Sequence, residues 1–482
     1  MSNYSTLERD YRRVISEKLN DKQLGDNLAS AMDTLKANRR NLVETRFNDW
    51  EDLRERAGQL KLKNLSKLDK LLETFEKNAT KNGITVHWAS NSQEANEIVL
   101  SLMQKNNITT ILKGKSMASE ETHLNNFLKE KGLNPIETDL GELIIQLMDE
   151  PPVHIVVPAI HRNRYEIGKI FKEKLNAPLE SEPEKLNGIA RNHLRNQFQE
   201  FKMGISGVNF AIANEGAIWL LENEGNGRMC TTACDIHVAF CGIEKVIESF
   251  EEASTLNALL IPSAVGATVT CYNNIISSPR KENEKDGPKE VHVILLDNNR
   301  SLMLKDKNYC KSLACIRCGT CLNHCPIFDK IGGHAYLSTY PGPIGEVISP
   351  QLFGLNKYSS MLDLCSTCGR CSEVCPVKIP LAELIRDLRR ERVGQGSKNV
   401  IGTDGSTINK VEASLMQKFG EIATNGKKWQ SSLNLISTFG PLGKLFSPLV
   451  PIVRYWVKYR NFPKISGKFH AKVSKMKGVI YE

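Results

Sequence analysis

Cys315-Ile316-Arg317-Cys318-Gly319-Thr320-Cys321-Leu322-Asn323-His324-Cys325-Pro326 and Cys365-Ser366-Thr367-Cys368-Gly369-Arg370-Cys371-Ser372-Glu373-Val374-Cys375-Pro376 share one spacing. Each reads C-x2-C-x2-C-x3-C-P, the pattern by which bacterial-type ferredoxins hold 4Fe–4S cubanes through thiolates. Three cysteines on a tight loop reach three corners of a cubane, and the same loop does not reach the fourth. In two-cluster ferredoxins the distant fourth cysteine ligates the other cluster. The expectation is therefore two 4Fe–4S clusters with crossed ligands. Cys315, Cys318, Cys321 and Cys375 would hold one, and Cys365, Cys368, Cys371 and Cys325 the other. Paired zinc sites are the rival, but zinc takes two C-x2-C pairs in a tetrahedron and leaves the C-x3-C-P ends unused. A disulfide framework suits exported chains, and the start MSNYSTLERDYRRVISEK has no apolar signal core.

The two runs are separated by roughly forty residues, more than a minimal ferredoxin needs, which suits a helical two-cluster module of a larger oxidoreductase. Between them, the glycines and prolines of GGHAYLSTYPGPIGEVISP rule out a long helix. Helix is expected over 354–364. Leu381, Leu384, Ile385 and Leu388 mark an arginine-rich amphipathic helix after the second run.

At 482 residues the chain has room for two or three cores. It is 40% hydrophobic and 25% charged, the composition of a soluble protein, and no apolar run reaches membrane-span length. A net charge of +9 does not imply nucleic acid, and no finger or RNA-binding signature is present. Thirteen cysteines in such a chain point to a reducing compartment and metal chemistry, hence a cytoplasmic location. The five outside the runs, Cys230, Cys234, Cys241, Cys271 and Cys310, read as small buried hydrophobes.

Four segments are expected. Residues 1–82 read as helices, with Leu65, Leu68, Leu71, Leu72 and Phe75 at helical spacing, packing on the next domain or a partner; Arg39, Arg40 and Arg54 read as solvated. Residues 83–303 alternate β-rich runs (ITVHWA, ITTIL, VHIVV, VHVILL) with helical stretches at 92–105 and 119–132. Asn209 to Glu222 reads as a hairpin turning at Asn214-Glu215-Gly216. This is an α/β domain with a mixed sheet. Residues 304–392 form the cysteine-bearing helical domain. Residues 393–482 are a polar linker and a basic tail, in which eleven Lys or Arg and no acid lie between Glu421 and Glu482. Tyr455, Trp456 and Tyr459 interleave with those charges, and the tail is a candidate partner-docking or peripheral membrane contact.

Two loops of the α/β domain stand out. Lys113-Gly114-Lys115-Ser116 follows a strand and looks like the end of a P-loop, yet Thr109 stands where the first glycine belongs, so nucleotide hydrolysis is excluded. It remains a candidate anion site. Glu224-Gly225-Asn226-Gly227-Arg228 is glycine-rich and reads as a tight turn or a close approach to a ligand. Glu137, Asp139, Glu142, His154, His161 and Arg162 are candidates for acid–base or metal chemistry, though their spacing forces neither.

The runs NGITVHWASNSQEANEI, LKGKS, ETDLGELIIQL, PPVHIVVPAIH, GISGVNFAIANEGAIWLLENEGNGR and YPGPIGEVISP, with both cysteine runs in order, resemble the lactate-utilisation iron–sulfur subunits of LutB type from about residue 30 to about 455. The resemblance implies a LUD domain similar to ribose-isomerase and CoA-transferase folds, followed by a helical double-cubane ferredoxin. It implies electron transfer in a complex oxidising L-lactate to pyruvate. Two partners are implied: a cysteine-rich redox subunit and a stand-alone LUD protein. Two other functions compete: a LUD-domain enzyme acting on a small anionic substrate, and a redox-sensing iron–sulfur protein. Crossed ligation favours transfer over sensing, because two linked clusters form a relay. No G-x-G-x-x-G opens a helix after a strand, so nothing supports a dinucleotide site.

Overall fold

The computed structural model describes residues 7–392, 400 and 410–439. The chain starts with four helices, α1 (Leu7–Asn20), α2 (Lys22–Arg46), α3 (Trp50–Leu65) and α4 (Leu68–Lys81). The helical spacing of α4 buries Leu68, Leu71, Leu72, Phe75 and Ala79, and Asp21 caps α2 by accepting from the Leu24 N–H. These helices hold the cysteine region. α2 packs on the helices Phe250–Val265 and Phe328–Ile331, and α3 on the short helix Tyr309–Ala314.

Arg40 is exposed as expected, but Arg54 and Arg39 are not solvated. Arg54 is buried and donates to the carbonyls of Cys375 (3.1 and 2.8 Å) and Glu373 (2.5 Å). A helix end leaves carbonyls without partners, and a fork of five donors fills them. Arg39 is half-buried, stacks on Trp50 at 5.4 Å and donates to the Val374 carbonyl.

Among the described residues ten strands follow: β1 (Thr85–Ala89), β2 (Thr110–Lys113), β3 (Asn134–Glu137), β4 (Met203–Gly207), β5 (Phe210–Ile212), β6 (Ala217–Glu222), β7 (Ile236–Gly242), β8 (Val246–Ile247), β9 (Tyr272–Ile276) and β10 (Glu290–Leu296). The single mixed sheet expected from sequence divides in two. One is a six-stranded sheet in the order β1-β10-β7-β4-β2-β3, parallel throughout. The other is a small mixed sheet, β8-β5-β6-β9, containing the expected hairpin as β5–β6. Along β7, Val238 and Phe240 face the helices of 92–105 and 124–130, while Ala239 and Cys241 join the core shared with α2–α4 and the cysteine region. Burial of both faces is what parallel strands require.

Three local expectations are corrected. The run VHIVV forms no strand: the N–H groups of Val156 and Val157 go to His154 Nδ1 (both 3.1 Å), and that of Val153 goes to the Pro158 carbonyl. The stretch 119–132 is two helices, Met117–Glu121 and Leu124–Glu130, broken at His123 with φ 54°. A twelve-residue helix, Gly342–Phe353, does run through the glycine- and proline-rich stretch. Pro343 lies in its first turn, where no N–H bond is lost, and Pro350 in its last. Gly345 is required there, since a Cβ would stand 1.8 Å from the Tyr340 carbonyl oxygen.

Residues 408–482 form a separate unit, described for the helices Lys410–Ala423 and Gly426–Phe439, with Phe419 and Trp429 edge-to-face at 6.1 Å. Tyr455, Trp456 and Tyr459 lie outside the described residues. Among the described residues no helix is long and apolar enough to cross a membrane.

Candidate metal centre

The two cysteine runs adopt the same backbone. A 3-10 helix leads into each first cysteine, Tyr309–Ala314 before Cys315 and Ser359–Leu364 before Cys365. Two residues on, Arg317 (φ 62°) and Thr367 (φ 56°) turn left-handed, and so do Gly319 (φ 76°) and Gly369 (φ 79°). Short helices, Thr320–Asn323 and Arg370–Val374, then carry the third cysteine. Alternating left- and right-handed residues turn successive N–H groups inward, a concavity suited to an anionic cluster. Arg317 N–H lies 3.4 Å from Cys315 Sγ, and Thr367 N–H 3.3 Å from Cys365 Sγ. Gly319 is fixed twice over, by its φ and because a Cβ would stand 2.9 Å from the His154 ring.

Each run closes on the other. Cys375 lines one small pocket with Cys315, Cys318 and Cys321, walled by Ile155, Ile316 and Ile344. The Ile379 N–H points at Cys375 Sγ (3.3 Å). Burial, with Cys365, Cys325 and Cys368 close by, pushes the Cys371 thiol up to about 12, which places these three cysteines near it. Cys318, Cys321 and Cys375 are buried, with Cys315 partly so; in the other set Cys368 is exposed and Cys365 partly so. Eight free thiols in two fours fit the tetrathiolate demand of two cubanes. The Thr320 hydroxyl in the first pocket is buried without a partner, a donor that a cluster sulfur would accept. Arginines brace both loops: Arg54 as above, and Arg389 on the carbonyls of Leu362 (2.6 Å) and Cys365 (2.7 Å).

A buried chain of charge ties the first loop to the parallel sheet. Arg300 donates to Glu121 (2.8 and 2.7 Å) and Glu244 (2.5 Å), and Glu244 also takes Arg317 at 3.2 Å. Tyr340 donates to Glu121 at 2.6 Å and stacks under Arg317 at 4.8 Å. Burial alone would raise the Glu244 carboxyl, but the guanidiniums of Arg300 and Arg317 hold it at about 2. Behind it Lys61, buried and lowered to about 8, donates to the Glu244 carbonyl at 2.7 Å. No spacing marks Glu121 or Arg300; the lone acid in the apolar run Ala239–Ile247 was the one available signal, at Glu244.

Beside this chain lies a cavity of 350 Å³ at the carboxyl ends of β2, β4 and β7, where Gly114, Gly207 and Gly242 leave room. Both loops singled out in the sequence border it: Gly114, Lys115 and Ser116 from one, Glu224, Asn226 and Gly227 from the other. Lys113 does not. It is fully buried and paired with Glu137 (2.5 Å), Asn125 (2.8 Å) and Glu120 (3.2 Å), so it leaves the candidate anion site.

Glu137 and Glu142 line a common cavity, but the six acid–base candidates do not share one site. Asp139 caps the helix Leu140–Leu147 through the Glu142 N–H. Glu142 is buried, and burial holds its carboxyl well above the ordinary range. His161 and Arg162 both pair with Glu150 (3.0 and 2.6 Å). His154 is a clamp: with Nδ1 accepting two N–H groups, Nε2 carries the proton to Asn323 Oδ1 at 3.0 Å, and Asn323 donates to the Ala264 carbonyl. Cys230, Cys234 and Cys241 are buried as expected, while Cys271 is exposed and Cys310 partly exposed.

Three family descriptions match in succession: LUD domain over residues 72–296, 4Fe-4S dicluster domain over 311–379, and lactate utilisation protein B, C-terminal, over 387–479. The last extends the similarity beyond residue 455, where sequence reading had ended it. The dicluster match establishes two 4Fe–4S clusters as the cofactors. The chain is 41% identical over 388 residues to the uncharacterized electron transport protein YkgF of Escherichia coli K12, covering 80% of this chain and 81% of that one. It is 36% identical over 460 residues to lactate utilization protein B of Bacillus licheniformis, covering 94% of each. The same protein of Bacillus subtilis strain 168 is 36% identical, covering 94% of this chain and 93% of its own. A LUD domain, a dicluster domain and the C-terminal segment in this order, at this coverage, place the chain in the lactate utilization protein B family.

Proposed function

We propose that this chain is the iron–sulfur electron-transfer subunit of a cytoplasmic complex that oxidises L-lactate to pyruvate. What supports the reading is that Cys375 lines one enclosed pocket with Cys315, Cys318 and Cys321, while Cys368 of the second run reaches the surface. Cys315, Cys318, Cys321 and Cys375 would hold the enclosed cluster, and Cys365, Cys368, Cys371 and Cys325 the outer one. Bound 4Fe–4S clusters supply one-electron storage and transfer. Lactate oxidation removes two electrons and two protons together, so the hydride-accepting centre belongs on a partner. Ile155, Ile316 and Ile344 keep water from the enclosed set, and Arg54 and Arg389 fix the loop carbonyls. Exposed Ser366, Thr367, Cys368 and Arg370 are the face a partner would meet. The proposed partners are a cysteine-rich redox subunit and a stand-alone LUD protein. An anaerobic pull-down with the tagged, cluster-loaded chain tests this. Recovery of two redox-competent partners supports the reading; a chain that comes down alone from lactate-grown cells refutes it.

A further inference from the structure

The 350 Å³ cavity has charges of both signs on its wall, but only the cations have donors to spare. Glu222 accepts the N–H groups of Gly227 (2.9 Å) and Arg228 (2.7 Å). Glu224 accepts the Leu140 N–H, and Asp139 that of Glu142. Glu244 is taken by Arg300 and Arg317. Against these committed carboxylates stand three cations. Lys115 bonds a single neutral carbonyl, that of Val156. Lys245 has no hydrogen-bond or ion-pair partner among the described residues. Arg317 Nη1 is buried with no partner among them. Buried donors are ordinarily satisfied, and Arg317 Nη1 is not; with two part-buried lysines beside it at one cavity, it points to an acceptor that is not part of the chain. The wall also carries apolar side chains, including Phe240, Leu220 and Leu260. A cationic end and an apolar body fit an organic anion better than an inorganic one. In open α/β sheets, ligands bind outside the carboxyl ends of the strands, and this cavity lies there.

We propose that this cavity binds a small organic anion, a carboxylate or a phosphate ester, seated on Lys115, Lys245 and Arg317, and that its arrival alters the surroundings of the enclosed cluster. Arg317 is the link: it stands between Cys315 and Cys318 and lines the cavity at the same time. The binding half stands on the cavity alone, while the second half rests on the assignment of Cys315 and Cys318 to that cluster.

The test uses the full chain with clusters loaded anaerobically, titrated calorimetrically with pyruvate, with glycerol 3-phosphate, and with neutral glycerol. Lys115→Gln and Lys245→Gln are the variants; neither lysine has an ion pair to lose, and an unchanged visible spectrum verifies each fold. One of the two anions is expected to bind, at least tenfold more weakly to each variant, and glycerol not at all. Which anion binds identifies the headgroup. Binding of neither anion, equal binding of glycerol, or unchanged affinity in both variants overturns the site. In the same samples, after dithionite reduction, the bound anion is expected to shift the paramagnetic resonance lines of one cluster. Binding with an unaltered spectrum overturns the coupling and leaves the electron-transfer reading untouched.

Discussion

Arg300→Met would remove the guanidinium that joins the parallel sheet to the first cysteine loop. The side chain is buried between two buried carboxylates and makes four hydrogen bonds, three to Glu121 and Glu244 and one to the Asp297 carbonyl. In its absence Glu121 keeps Tyr340 (2.6 Å) and Asn298 (2.8 Å), and Glu244 keeps Arg317 at 3.2 Å. Both carboxylates are buried, at 1% exposure each. Breaking a buried pair by removing one partner costs about 3–5 kcal/mol. Unfolding entropy of about 2.1 cal/mol/K per residue gives about 0.85 kcal/mol/K for the unit Met1–Thr407. The expected fall in Tm is therefore about 4–6 °C. Thermal unfolding of cluster-loaded protein at pH 7, followed by near-UV circular dichroism, measures it. Adding Glu121→Gln and Glu244→Gln to Arg300→Met should restore at least half of the loss, because the penalty lies in the stranded charges. A Tm within 1 °C of wild type for Arg300→Met alone would refute the reasoning.

Crossed ligation makes a directional expectation: Cys325→Ser should damage the cluster of Cys365, Cys368 and Cys371, and Cys375→Ser that of Cys315, Cys318 and Cys321. Iron counting with paramagnetic resonance reads this, and loss in each case of the variant's own run contradicts it. The stability of the chain should also fall with acid. Burial holds His154 and His237 neutral, each with a pKa of about 3, so the unfolded chain takes up these protons first, near 6.5. Their stabilisation is complete above that value and declines below it, by about 1.3 kcal/mol each between pH 7 and 5.5. A His154→Asn/His237→Asn double variant should show a correspondingly shallower fall in Tm over this window; equal slopes would refute it.

The cysteine runs were legible because cluster ligation fixes both residue type and spacing. The strands β2 and β10 were legible because burial on both faces leaves an apolar run. What escaped was whatever a distant partner decides. VHIVV has the composition of a strand, but the His154 ring takes two of its N–H groups and holds the segment against Asn323. Arg54 carries no mark distinguishing it from Arg40, yet it meets the open carbonyls of Cys375 and Glu373, more than three hundred residues away in sequence. Lys113 and Lys115 sit two apart on one loop. Lys113 is the last residue of β2 and is held inward by Glu137, whereas Lys115 lies past the end of the strand, at the cavity. Division of the domain into two sheets was equally hidden, because β5 and β6 read as a hairpin whichever sheet they join.

The central claim is that this chain carries electrons and leaves the oxidation of lactate to a partner. The direct measurement is the visible spectrum of the purified, cluster-loaded chain in anaerobic L-lactate. Dithionite should bleach it and a soluble acceptor restore it, whereas lactate should leave it unchanged until both proposed partner subunits are added. Bleaching by lactate in the isolated chain, without added flavin, would contradict the account and put the oxidising site in the LUD domain.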